Sequence, residues 1–401
     1  MLLWAGIFAL ILLLTTLYTN NLCAVKECRD ISTAQKRIFK KQKGGVLFVL
    51  IILCLLSGLR YETGGSDYFV YQGIYERLPT LGEFFANFRN LEQYTVFGHE
   101  RLWLLIQSFF KTMHLSYNGF LFLHSVFFFT CLYFFLKRYG INPMYCILAF
   151  LCLMYFYNTM VSMRQSTVIG LFLLSMPLLE KKRYYRYYFV VLISFFIHYS
   201  SLYLLIVPFI NSVIPKTKNT LKWILLLSVP AVIISFQVNI GARIVLLLEP
   251  IVRAFLGDTF GDKFLNLANS SEEISIIHSL LYFFIVALFI LFFDDVKGNG
   301  RFFDLTFTMI ICLFPILVVF RGFGIFTRLK DFFYLFYSIF LGMLMLIRGQ
   351  RYKWLVLSSS ALIYGAIYFR YILLFDGGHF MHYKSILCRN RLLKKGGFYD
   401  T

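Results

Sequence analysis

The sequence predicts an all-α fold: a polytopic transmembrane helix bundle of about 11–13 spans, with at least one re-entrant or interfacial segment. Three observations predict it. Of the 401 residues, 59% are hydrophobic and the mean hydropathy is +0.71, whereas a soluble domain is about 45–50% apolar. The excess is gathered in runs of roughly 18–22 residues, the length a helix needs to cross a bilayer. The net charge of +19 sits in short clusters between those runs: Lys36-Arg37, Lys40-Lys41-Lys43, Lys181-Lys182-Arg183 and Arg348 to Lys353. Clusters so placed follow the positive-inside pattern. They favour anionic lipid headgroups, so membrane lipids are expected partners. A nucleic-acid binder would carry its charge on one soluble face, and no nucleic acid is expected.

The spans run at approximately 2–19, 45–60, 117–136, 143–160, 161–179, 188–210, 221–238, 275–293, 302–320, 331–347 and 354–374. Two shorter segments, 99–113 and 240–256, complete the set. The first run lacks a basic leader and a small-residue cleavage site, so it reads as a retained span. No soluble domain is left over, and residues 1–401 read as a single integral membrane domain. Of the eight cysteines, Cys54, Cys131, Cys146, Cys152 and Cys312 lie within apolar runs, where a thiol acts as a small hydrophobe. Cys23 and Cys28 flank a basic loop read as cytoplasmic, where thiols stay reduced. No CxxC pair occurs, and neither a disulfide framework nor a metal site is expected.

Orientation follows from the basic clusters. Loops 20–44 and 180–187 go to the cytoplasm, as does Lys137-Arg138. An even number of crossings then separates loop 20–44 from Lys137, so 99–113 is re-entrant or interfacial. Its length of about 15 residues agrees. Loop 61–98 becomes extracytoplasmic, and so do the turn at Arg164, the far end of the helix carrying His198, and residues 321–330. Residues 211–219 then fall outside as well, although Lys216 and Lys218 make them basic. A basic tail, 386–401, ends the chain.

The candidate functional residues are the ionisable groups at membrane depth, where charge costs roughly 2.5–3.5 kcal/mol for a central arginine even on the lenient scale. Arg164-Gln165 opens a span between two apolar runs. Its guanidinium fork suits phosphate oxygens, or it caps a hairpin through backbone carbonyls. His198, before Ser200 and Ser201, is a candidate proton acceptor or an ordinary hydrogen-bonding residue. Arg60 and Asp67, on either side of Gly64-Gly65, offer an anion contact with a supporting carboxylate. The alternative is a snorkelling arginine and a plain turn. Arg321, Arg328 and Lys330 with Asp331 form a second phosphate grip or a solvated loop. Glu100 is a candidate acceptor for sugar hydroxyls. Tyr68, Tyr71 and Tyr75 are stacking candidates or belt aromatics. His379 and His382 lack the ligand number of a metal centre.

These motifs resemble the EpsG-like family of polysaccharide polymerases, related in role to the Wzy-type O-antigen polymerases. The resemblance is carried by Arg60 with Gly64 or Gly65, Asp67 and Tyr71; by Gly98-His99-Glu100; by Arg164-Gln165; and by His198-Tyr199-Ser200-Ser201-Leu202. It is fullest over 45–210 and continues with Arg328 and the Tyr383-x-Ser385 element. Ser166 and Gly170 stand where the family commonly has a small residue or alanine. His382 stands where a proline often precedes the tyrosine.

The resemblance implies an enzyme of the bacterial cytoplasmic membrane, a metal-independent glycosyltransferase with no cofactor. A polyprenyl-diphosphate-linked oligosaccharide donates its glycan to a second lipid-linked unit, with a flippase and a chain-length regulator as partners. His198, Arg164 and Asp67 are the expected catalytic residues. Arg60, Glu100, Gln165, Arg321 and Arg328 are the expected substrate contacts. Two other classes compete. A flippase for the same lipid would show stronger repeats and charge spread through the bundle. An acyltransferase modifying surface polysaccharide would use His198 but leave the arginines unexplained.

Overall fold

In lipid each backbone N–H and C=O must be satisfied within its own segment, so long apolar runs fold as helices. The computed structural model describes residues 1–20, 31–91, 101–153, 155–237, 240–258, 261–262, 265–266, 274–321, 326–347, 350–374 and 382–388, and these are almost wholly helical. Six helical stretches among them are long and apolar enough to cross a membrane: Leu2–Asn20, Tyr117–Tyr139, Lys218–Ser235, Arg301–Val319, Lys330–Ile347 and Arg351–Leu374. A seventh arises if Pro143–Cys152 and Tyr155–Val161, bent by 55°, count as one span. Other apolar stretches of the sequence appear as shorter or interrupted helices. The chain is a polytopic all-α membrane protein.

The helices gather into two compact units. One comprises Met1–Pro177, Arg186–Ser201 and Gly349–Thr401; the other comprises Leu178–Tyr185 and Leu202–Arg348. In the first unit, α1 (Leu2–Asn20) and α2 (Ile31–Gly58) lead to α3 (Gly65–Arg77), α4 (Leu81–Ala86), α5 (Arg101–Thr112) and α6 (Tyr117–Tyr139). Segments α7 (Pro143–Cys152) and α8 (Tyr155–Val161) precede α9 (Met163–Glu180) and α10 (Tyr184–Phe195). Gly58 lets α2 approach α6 closely, since a Cβ there would stand 3.0 Å from the Phe122 backbone.

A buried polar belt ties one end of this unit. Asn142 caps α7 and donates to Thr19 at 2.8 Å, while Gln42 donates to the Asn142 side-chain oxygen Oδ1 at 3.1 Å. Gln35 donates to the Lys137 carbonyl at 2.9 Å. These bonds satisfy groups that lipid would leave bare.

The expected loops are partly helical. Helix α2 begins at Ile31, so the basic residues 36–43 belong to its first turns. Helices α3 and α4 occupy much of 61–98. Segment 99–113 contains the twelve-residue α5, about 18 Å long, which is too short to cross a bilayer.

The second unit contains α11 (Ile206–Val213), α12 (Lys218–Gln237), α13 (Ile240–Leu256) and α14 (Ile276–Leu291). Then follow α15 (Phe293–Val296), α16 (Arg301–Phe314), α17 (Phe326–Leu329) and α18 (Leu335–Ile347). Its core is aromatic, with Phe289 4.6 Å from Phe340 between ring centroids. Helix α19 (Gln350–Leu374) returns to the first unit, where Tyr145 and Ser360 hydrogen-bond at 2.6 Å.

One topological expectation is corrected. Segment 188–210 reads as a span because it is long and apolar, which would put 211–219 outside. Instead Ser212 and Asn211 donate to the Tyr184 hydroxyl at 2.8 and 3.3 Å. Residues 211–219 therefore lie at the same end as loop 180–187, which the sequence places inside. Lys216 pairs with Asp304 at 3.0 Å and Lys218 with Asp294 at 3.1 Å, at that same end. A segment that starts and finishes in one place does not cross. Its two arms are the short α10 and a 3₁₀ helix, Tyr199–Leu205, that runs into α11. The helix breaks at His198.

Candidate functional site

The site is built where helices stop. Helix α8 ends at Val161 and α9 begins at Met163, so Ser162 marks a break in the backbone ladder. Arg164 and Gln165 occupy the first turn of α9, where the helix dipole favours an anion. Arg164 is half-buried and donates through Nε to the Tyr71 hydroxyl at 3.3 Å; its guanidinium lies 5.7 Å from the Tyr71 ring centroid. Tyr71 and Asp67 are one turn apart on α3, so they share a face of that helix. Gln165 is buried.

Arg60 follows the end of α2 and is fully buried, at 0% exposure. It donates through Nη1 to the Ser57 carbonyl and through Nη2 to the Met160 carbonyl at 2.9 Å. Both carbonyls sit at helix ends, so Arg60 staples the C-terminus of α2 to that of α8 and fixes the break before Arg164. Its Nε has no hydrogen-bond partner. The turn that follows depends on Gly64, with φ of 133°. A Cβ at Gly64 would be strained by that φ and would stand 3.1 Å from the Met160 carbonyl oxygen.

The Tyr383-x-Ser385 element is part of this arrangement. The Tyr61 N–H donates to the Lys384 carbonyl at 2.9 Å and the Ile386 N–H to the Leu59 carbonyl at 3.0 Å. Arg60 and Ser385 thereby form an antiparallel bridge. Tyr383 donates to the Leu56 carbonyl at 2.9 Å. Residues 383–386 are thus strapped along the stretch holding Arg60.

Sequence reasoning missed His124. It lies about two turns into α6, and its Nε2 is 3.1 Å from the Met163 carbonyl, 3.1 Å from Thr167 Oγ1 and 3.2 Å from Ser166 Oγ. Both hydroxyls donate to the Met163 carbonyl at 2.9 Å. Their lone pairs and the carbonyl are acceptors, so Nε2 carries the proton. His124 therefore pins the turn that bears Arg164 and Gln165. Its signal in the sequence is an ionisable residue inside an apolar span.

His198 sits between α10 and the 3₁₀ helix, partly exposed. Its N–H donates to the Ser194 carbonyl at 2.8 Å, and its carbonyl accepts from the Ser201 N–H at 3.1 Å. The neighbouring Phe196 carbonyl accepts from the Leu102 N–H at 3.1 Å. The first turn of α5 and the break at His198 are thus joined. The other end of α5 is held by Lys111, which donates to the Glu76 carbonyl at 2.6 Å and to that of Leu78. Tyr75 on α3 donates to the Leu115 carbonyl at 2.7 Å, and burial pushes its hydroxyl up to about 12, so it remains a donor near neutral pH. Glu100, His99 and His379 lie outside the described residues.

The second unit holds the other expected contacts. Arg321 is buried behind a π-helical turn, Pro315–Val319. It donates to the Ile274 carbonyl at 3.0 Å and to Ser235 at 3.4 Å. Lys330 and Asp331 form a buried pair at 3.0 Å. Lys330 also lies 5.8 Å from the Tyr334 ring centroid, and Tyr334 packs against His278 at 5.6 Å. Arg328 is exposed. Arg60, Asp67, Arg164, Gln165 and His198 thus belong to the first unit, and Arg321 and Arg328 to the second. Among the described residues, no three His, Cys, Asp or Glu side chains gather as metal ligands.

No curated protein and no solved structure matches the chain. A family model does: the EpsG family, a polysaccharide polymerase-like family, is matched over residues 46–385, most of the chain. That span covers the Arg60 turn, the break before Arg164, the break at His198, the buried pair of the second unit and the strap that ends at Ser385. This multi-pass membrane protein belongs to the EpsG family, and its role lies in membrane polysaccharide biosynthesis.

Proposed function

We propose that the protein polymerises polyprenyl-diphosphate-linked oligosaccharide repeat units into surface polysaccharide, at the outer face of the bacterial cytoplasmic membrane. The observation that carries this reading is Arg164-Gln165 in the first turn of α9, directly after a break fixed by Arg60 and His124. A guanidinium in the first turn of a helix, where the dipole favours an anion, suits a diphosphate.

On this reading the reaction is a glycosyl transfer. A hydroxyl of the acceptor unit attacks the anomeric carbon of the donor sugar. The bond from that carbon to the diphosphate oxygen breaks, and polyprenyl diphosphate leaves with the electron pair. Arg164 stabilises the developing charge on the leaving group. His198 takes the proton of the attacking hydroxyl. Asp67 and Glu100 orient the acceptor sugar, Gln165 binds beside Arg164, and Arg60 holds the turn. The donor is already activated by its diphosphate, so the scheme uses neither metal nor cofactor. A flippase that supplies the outer leaflet and a chain-length regulator are the partners such a reaction needs.

The test is the profile of lipid-linked glycans, resolved by leaflet, in cells with and without the protein. Loss of the protein leaves single complete repeat units on the outer leaflet and no long polymer. Accumulation on the inner leaflet would instead identify a flippase. Normal polymer length with a shifted mass would identify a modifying transferase.

A further inference from the structure

Burying a polar group without a hydrogen-bond partner is costly, and buried polar atoms in folded proteins are rarely left unpaired. Helix α5 buries Trp103, Leu104, Gln107 and Ser108 on one stripe. Gln107 is fully buried at 0% exposure, yet neither its amide nitrogen nor its oxygen has a partner. Trp103 Nε1 and Ser108 Oγ, also buried, have none either. The Trp103 ring packs edge-on against His124 at 6.2 Å between centroids. His124 uses Nε2 on the turn of α9, and its Nδ1 is bare. Ser200 Oγ and Ser201 Oγ, at the break to which the start of α5 is tied, are bare too.

The chemical character of these atoms is mixed. Trp103 Nε1 only donates, His124 Nδ1 in this tautomer only accepts, and Gln107 and the serines do both. Phosphate oxygens at neutral pH accept and would leave the Gln107 oxygen and His124 Nδ1 unserved. Sugar hydroxyls donate and accept, and they match the whole set.

We propose that the stripe Trp103, Gln107 and Ser108 on α5, with His124 Nδ1 on α6, is a binding subsite for the hydroxyls of a sugar residue of the lipid-linked glycan. The proposal rests on the polymerase reading and adds where the glycan is held, apart from the diphosphate at Arg164. The stripe is sealed against α6 in this structure. For a sugar to reach it, α5 must part from α6, which requires releasing Leu102 from the Phe196 carbonyl or Lys111 from those of Glu76 and Leu78. A polar set kept unpaired until substrate arrives also gives specificity, because a ligand lacking the matching hydroxyl leaves it unpaired.

The test is Gln107→Leu in the full-length protein, with Arg164→Ala alongside. Polymer is measured in cells at matched protein level, and the thermal midpoint is measured on purified protein in detergent. Removing an unpartnered amide leaves the midpoint unchanged or raised, while polymer falls on the order of tenfold or more. Ser108→Ala lowers polymer by a smaller factor with the same unchanged midpoint. Unchanged polymer in Gln107→Leu overturns the subsite, because the bare atoms then serve internal water only. A lowered midpoint also overturns it, because Gln107 is then structural. If Arg164→Ala abolishes polymer and Gln107→Leu does not, the subsite fails and the polymerase reading stands. If Arg164→Ala leaves polymer intact, the diphosphate site at Arg164 fails; if cells lacking the protein still make polymer of normal length, the polymerase reading itself fails.

Discussion

Arg164 in the first unit and Lys330 in the second are both cations in apolar surroundings, but they are placed differently. Lys330 is buried beside a carboxylate, Asp331, at 3.0 Å. Arg164 is half-buried at a helix start and meets a neutral hydroxyl, that of Tyr71. The buried pair neutralises itself. The first-unit arginine is half-buried in the first turn of α9, at the end of a helix whose dipole favours an anion. A count of intramembrane cations does not separate these cases; burial and position on the helix do. Arg60 and Arg321 are intermediate, since both are buried and hold backbone carbonyls, so each shapes a turn.

That contrast is sharpest under mutation. Asp331→Ala removes the carboxylate beside the buried Lys330 ammonium, which costs about 3–5 kcal/mol. The expected result is a large fall in protein level in the membrane, read by immunoblot. Replacing both partners together, Lys330→Met with Asp331→Leu, restores the level. If the double replacement restores level but not polymer, the pair acts in the reaction and the contrast breaks.

Arg164→Lys is the next largest effect. It keeps the charge and loses the planar fork. Polymer is expected to fall roughly tenfold or more at an unchanged protein level, and full retention would show that a point charge suffices. His124 comes third. His124→Phe loses the bonds to the Met163 turn and lowers polymer several-fold. His124→Gln supplies an amide N–H near the position of Nε2 and recovers most of it, a rescue that packing alone would not give. The smallest effect belongs to Arg328→Ala. Arg328 is exposed, so stability changes by no more than about 0.5 kcal/mol. Polymer falls a few-fold if Arg328 contacts the diphosphate, and stays normal if the second unit plays no part in binding.

Much of the fold was legible because lipid permits few solutions. The runs of 18–22 residues and the basic clusters between them predict helices. The parity of the clusters predicts a non-crossing segment at 99–113, and α5 is too short to cross. Hydropathy averages over a window, so it does not register a break. The run 188–210 reads as a continuous span, although His198-Tyr199-Ser200-Ser201 turns it back. Arg164 and His198 stand out as charged or titratable groups beside helix ends. His124 and Gln107 were harder to see, because a single polar residue within an apolar helix has no periodicity of its own. Their roles become visible only when α5, α6 and α9 are packed and the hydrogen bonds are traced atom by atom. The strap at Tyr383 to Ile386 was illegible for a different reason. Its partners, Leu56 to Tyr61, lie more than 300 residues away in the chain, and no local pattern connects them.

The measurement that tests the central claim most directly is the leaflet-resolved profile of lipid-linked glycans in cells whose only copy of the protein carries Arg164→Ala, with membrane level matched to the parent. The α9 N-terminal turn, as the diphosphate site, predicts single complete repeat units on the outer leaflet and no long polymer. Polymer of normal length and amount from that variant would contradict it, and would move the search for the reacting centre to the second unit.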